Sequence, residues 1–132
     1  MFALIDELSA IVKQVEASND PAFGTTGAKL REALGSLDRT SRWLLERLSS
    51  QPNEALAGAT PYLRLFSSAL GGCMLASEAL AARNEANGGD AQRYVTLARF
   101  FAETISVQAP SLEKTVTDSA ESVMGADAVL LG

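Results

Sequence analysis

Between Arg64 and Glu78 the chain carries no ionisable side chain except the thiol of Cys73, and a Gly71-Gly72 pair sits in the middle of that stretch. A helix that is apolar nearly all round must be buried on most of its circumference. Each mid-helix glycine costs about 0.5–1 kcal/mol relative to alanine, so something must compensate, most simply the close approach of another backbone. The segment therefore reads as the middle of a helical bundle, or as the seam where a bundle docks on something larger. It reads as a buried helix rather than a spanning one. A membrane span needs about 20 predominantly apolar residues, whereas the uncharged run Leu65 to Ser77 is 13 residues long and includes serines and glycines.

The rest of the composition narrows the function classes. The chain has 132 residues, enough for one domain. Its formal net charge of −5 argues against nucleic acid and anionic membrane surfaces as partners. There is no histidine, which removes Ser-His and Cys-His nucleophilic pairs, His-containing zinc sites and the Glu-x-x-His di-iron pattern of helical bundles. One cysteine forms no internal disulfide and no thiolate cluster. With opening residues that do not read as a secretory leader, this makes the cytoplasm the expected location. Gly88-Gly89-Asp90 lacks the spacing and the preceding strand of a phosphate-cradling loop. No catalytic, cofactor-binding or metal-binding residue is expected in this chain.

Four helices follow from the 3.6-residue periodicity. The first is expected over about Phe2 to Ser18, with Met1, Ile5, Leu8, Val12 and Val15 on one stripe. A turn follows at Asn19 to Gly24, where Pro21 and Gly24 break helix. The second is expected over about Thr26 to Ser50, with Leu30, Leu34, Leu37, Ser41, Leu44 and Leu48 spaced as in helix–helix seams. A connector with Pro52 and Gly58, holding room for one helical turn around Glu54 to Leu56, leads to the third. Thr60 as N-cap and Pro61 in the first turn start this helix, Tyr62, Phe66, Ala69, Cys73, Ala76 and Leu80 form its stripe, and Gly88-Gly89 ends it. Asp90 then caps a fourth helix carrying Tyr94, Ala98, Phe101, Ile105, Leu112, Val116, Ser119 and Val123, kinked by Pro110 near Val107, with the tail from Gly125 poorly ordered. Short loops between long amphipathic helices predict an all-α, antiparallel up-down-up-down four-helix bundle. The apolar stripe starts at Met1, without a polar leader, so the chain is expected to be a C-terminal piece of a longer polypeptide.

Five residues stand out as packing or interface candidates: Trp43, Tyr62, Gly71, Gly72 and Arg93. Trp43, flanked by Arg39, Arg42 and Arg47, is either an exposed aromatic anchor or the cover of a groove at the bundle's edge. Tyr62 opens the stripe of the third helix. Gly72 is expected beneath a close helix crossing and Gly71 nearer the solvent strip marked by Arg64 and Glu78. Arg93 and Arg99 are candidates for an anionic ligand, although Arg99 with Glu103 at i,i+4 is more simply a surface pair. Cys73, among apolar neighbours, is expected to be inert.

The stretch Pro61-Tyr-Leu-Arg-Leu-Phe…Leu70-Gly-Gly…Leu75-Ala-Ser-Glu-Ala-Leu-Ala-Ala82, followed by Leu97-Ala-Arg-Phe-Phe-Ala-Glu103 and a tail from Ser119 to Val129, resembles a known family. It is similar to the C-terminal helical domain appended to a subgroup of bacterial acyl-CoA dehydrogenases. The resemblance runs from about Pro61 to Val129; the first sixty residues match only as amphipathic helices. It implies a parent flavoprotein of fatty acid metabolism that binds FAD and oxidises acyl-CoA to enoyl-CoA with a glutamate base, both base and flavin belonging to the preceding core. Neither has a counterpart here, so no catalytic or cofactor residue carries over. The implied partners are the dehydrogenase core of the same polypeptide and further copies in a homo-oligomer. The implied role is to support assembly or to shape the rim of the substrate tunnel. Two other readings stay open: a stand-alone self-associating scaffold, and a bundle enclosing an apolar ligand.

Overall fold

A computed structural model describes residues 1–85 and 90–131, and among them the chain is helical with no strand. Six α-helices follow in order: α1 Phe2–Ala17, α2 Thr26–Ser50, α3 Pro52–Ala57, α4 Ala59–Arg83, α5 Ala91–Thr104 and α6 Ala109–Leu131. Short 3-10 turns at Pro21–Phe23 and Ser106–Gln108 lead into α2 and α6. The all-α class is as expected, but the count of four helices is not. The connector condenses into α3, and the expected fourth helix is two helices.

That division has a local cause. Ile105 turns the chain out of α5, and the Ser106–Gln108 turn places Ser106 inside, fully buried, where its hydroxyl donates to the Ser68 carbonyl at 2.8 Å. Pro110 then falls in the first turn of α6, where its missing N–H is no loss. The proline starts a helix rather than kinking one. Ile105, expected in the core, is exposed in consequence. The tail from Gly125, expected to be poorly ordered, continues α6 to Leu131.

Capping also departs from expectation. The α4 helix begins at Ala59, one residue before Thr60; Gly58 holds the cap position and its carbonyl accepts from the Tyr62 N–H at 3.0 Å. Pro61 still fits, because the first four N–H groups of a helix have no intrahelical partner. Asp90 stands at the N-cap of α5 without a side-chain hydrogen bond. The α4 helix ends at Arg83 with Asn84 as its C-cap. The expected Gly88-Gly89 stop lies outside the described residues, as do the side chains of Ser119 and Val123. The turn between α1 and α2 is as expected: Asp20 accepts from the Ala22 N–H at 2.9 Å, Pro21 leads the 3-10 turn, and Gly24 adopts φ +54°.

The α4 helix is the centre of the fold, in contact with α1, α2, α5 and α6. Among the described residues it is the one helix long and apolar enough to cross a membrane by length and composition; here its inner face is protein core. Leu65, Ala69, Gly72, Cys73, Ala76 and Ala79 are buried on that face. The larger members of the expected stripe, Tyr62, Phe66 and Leu80, sit half-buried at its flanks with Leu70. Small residues occupy the tight crossings and large ones fill the sides. On the opposite face, Arg64 and Glu78 do mark a solvent strip, shared with Leu63, Ser67 and Met74.

On α1 the expected stripe is buried except for the exposed Met1. On α2 it is buried through Ser41, after which Leu44 is half-buried and Leu48 exposed. The buried face of α5 is Val95, Ala98 and Ala102, leaving Phe101 half-buried and Tyr94 exposed.

Candidate functional site

The glycine pair lies where α4 meets three other segments. A Cβ on Gly72 would run into the Leu30 side chain from α2 and come within 2.5 Å of the Ser106 hydroxyl. A Cβ on Gly71 would come within 2.9 Å of the Phe101 ring from α5. Gly72 is therefore beneath the crossing, as its place on the α4 wheel predicts. Gly71 lies half-buried on the side of the Arg64–Glu78 strip, as expected, with the Phe101 ring from α5 over it.

A second feature is a groove of about 380 Å³ formed by α2, α3, α4 and the start of α1. Its walls are apolar: Met1, Leu44, Leu45, Leu48, Leu56 and Leu63 line it. Four of these are large leucines with more than half of their surface exposed, Leu56 at 67% and Leu63 at 63% among them. Tyr62 also lines it, and its hydroxyl pairs with Ser41 at 2.7 Å, so the polar atoms at the groove are already satisfied. Leu63 belongs as well to a neighbouring shallow groove with Arg64, Phe101, Ile105 and Leu112. The two grooves meet at Leu63, and the second is of mixed character, with Thr60, Ser67 and Gln108 also in its wall.

The remaining candidates do not converge on a site. Trp43 is half-buried, with the Arg47 guanidinium 5.1 Å from its ring centroid. Arg93 is solvent-exposed, 3.9 Å from Asp90, beside exposed Leu97 and Phe100 on α5. Arg99 pairs with Glu103 at 3.1 Å, the surface pair expected. Glu103 also accepts from the Thr25 hydroxyl at 2.7 Å and the Thr25 N–H at 3.3 Å, securing the start of α2. These two bonds from Thr25, with the Arg99 guanidinium beside them, hold the Glu103 carboxyl below the usual carboxylate range. Cys73 is fully buried, and burial pushes its thiol up to about 12. It is no nucleophile at neutral pH. Among the described residues no three metal-ligating side chains cluster.

The described residues thus offer packing surfaces, a tight helix crossing at Gly72 and an apolar groove between α2, α3 and α4. The family model described as "Acetyl-CoA dehydrogenase C-terminal like" matches residues 4–127. The chain belongs to this family of C-terminal domains of acyl-CoA dehydrogenases. The match takes in α1 and α2, so the family pattern extends well before Pro61, where the recognisable motif begins. The 3-methylmercaptopropionyl-CoA dehydrogenase of Ruegeria pomeroyi is 33% identical over 102 residues, which cover 74% of this chain and 17% of that relative. The chain thus spans about a sixth of the curated relative it matches. No solved structure matches it.

Proposed function

We propose that this chain is the accessory C-terminal helical domain of a flavin-dependent acyl-CoA dehydrogenase. It packs on the dehydrogenase core of its own polypeptide and supports assembly of the homo-oligomer or the rim of the substrate tunnel. The observation that carries this reading is the family match over nearly the whole chain, together with a relative that is a CoA-thioester dehydrogenase by name and of which the matched stretch is only 17%. In this reading FAD supplies the chemistry, accepting the electrons when acyl-CoA becomes enoyl-CoA, and it is held outside this domain. The domain donates no catalytic group, in keeping with the absence of histidine and the buried thiol. Its acidity keeps nucleic acid and anionic membranes off the partner list, and its single cysteine suits a reducing cytoplasm.

The test is deletion of this domain from the full-length polypeptide, followed by flavin absorbance, acyl-CoA turnover and native mass. The expected result is a protein that keeps flavin but shows a smaller assembly or a lower kcat/KM, while the isolated domain has neither flavin nor turnover. A truncated enzyme with unchanged mass and kinetics overturns the reading. So does a native polypeptide no longer than this chain, which would favour the self-associating scaffold.

A further inference from the structure

We infer that the apolar groove between α2, α3 and α4 is the seat of the dehydrogenase portion of the same polypeptide. The inference rests on the functional reading above and adds which face of the domain is the docking face.

Soluble monomers rarely expose a large contiguous apolar patch, and larger ones mark interaction sites. Here Leu45, Leu48, Leu56 and Leu63 leave more than half their surface in water around one concavity. Leu45 and Leu48 are on the last turns of the long α2, and the connector that could have covered them instead folds as α3 and adds Leu56 to the same wall. The groove asks nothing of a partner in hydrogen bonds, because Ser41 and Tyr62 satisfy one another. It fits apolar side chains of a protein surface rather than a polar ligand.

Two observations select the occupant. The family is defined as a C-terminal domain, and the thioester dehydrogenase relative extends far beyond the portion this chain matches. In addition, Met1 itself lines the groove, so polypeptide joined ahead of α1 is delivered beside it. Covalent connection in one polypeptide raises the effective concentration of the two parts, which favours an intramolecular occupant over a second copy.

The test uses full-length polypeptide with single cysteines introduced by Leu56→Cys, Leu63→Cys and, as a solvated control, Glu32→Cys. The native Cys73 is buried with its thiol pushed up to about 12, so it contributes no label. Maleimide labelling at Leu56→Cys and Leu63→Cys is expected to be at least roughly tenfold slower than at Glu32→Cys, since it must await local opening. A photo-crosslinker in place of Leu56 is expected to join peptides of the dehydrogenase portion within one chain. If the protein holds flavin and turns over acyl-CoA while both groove thiols label at the control rate, the inference falls and the functional reading stands. Crosslinks from groove to groove between differently isotope-labelled copies also overturn it, assigning the face to a second copy. A full-length protein without flavin or turnover overturns the functional reading, and the occupant's identity with it.

Discussion

Adjacent glycines on α4 make a direct comparison at the scale of single residues. An alanine at either position gains about 0.8–1 kcal/mol of helix propensity. At Gly72 the added methyl meets Leu30, fully buried, and the Ser106 hydroxyl, which is held by Ser68. Overpacking of this kind costs about 1–3 kcal/mol, so Gly72→Ala should lower the melting temperature and Gly72→Leu should do so severely. At Gly71 the obstacle is the tip of the half-buried Phe101 ring, which has open space to swing into. Gly71→Ala should therefore sit much closer to the parent protein in the same melts; equal losses at both sites would contradict this. Cys73 yields a second prediction. Burial raises its thiol from 9.0 to about 12, so the folded state prefers the neutral form. The resulting stability is complete below about pH 9 and is lost as pH rises towards 12, because the unfolded chain releases the proton first. Denaturant unfolding across that range should show the parent protein losing ground against Cys73→Ala. Iodoacetamide at pH 8 should modify the native thiol only on unfolding.

At the scale of elements, the break between α5 and α6 is held by Ser106 and not by Pro110. Ser106 is buried and bonded to the α4 backbone at Ser68, and the neighbouring Ala109 is also fully buried. Pro110 occupies a first-turn position that other residues fill equally well. Pro110→Ala should therefore leave helix content and melting temperature nearly unchanged. Ser106→Ala removes the donor and should cost about 1 kcal/mol, read by urea unfolding. A larger loss from Pro110→Ala than from Ser106→Ala would reverse the assignment.

For the whole molecule, a two-pronged ion pair adds to the packing that joins the first half of the chain to the last helix. Arg39 on α2 donates from Nε to Glu113 Oε2 and from a terminal nitrogen to Glu113 Oε1, both at 2.9 Å, the acceptor lying on α6. The Arg39 hydrogen bonds hold the Glu113 carboxyl below its usual range, against the opposing effect of partial burial. A depressed carboxylate adds stability above its unfolded value of 4.5 and loses it as pH falls through the folded one. Because Arg39 is 62% exposed, solvent screening limits the pair to about 0.5–1 kcal/mol. Glu113→Gln should be less stable than the parent at pH 7, with the gap closing as pH falls below 4.5. A gap that persists at low pH would point to packing instead of charge.

How much of this was legible beforehand follows from where each cause lies along the chain. The ranges of α1 and α2, the turn with Pro21 and Gly24, the burial of Cys73 and the Arg99–Glu103 pair all depend on residues within a turn or two of each other, and periodicity, turn chemistry and i,i+4 spacing reveal such causes. The family motif from Pro61 to Glu103 was legible for the same reason, as a run of adjacent residues. The features that matter to docking have partners far away in sequence. Ser106 turns inward because Ser68 offers a carbonyl, Phe101 covers Gly71 because α5 crosses there, and Leu45 meets Leu56 and Leu63 around one groove because α3 folds back between α2 and α4. An apolar residue on a helical stripe has the same local signature whether a neighbour covers it or none does. The sequence by itself therefore determined that the chain is helical and where most helices begin. Which leucines remain uncovered, and so which face is free for a partner, was decided only by the packing of distant helices.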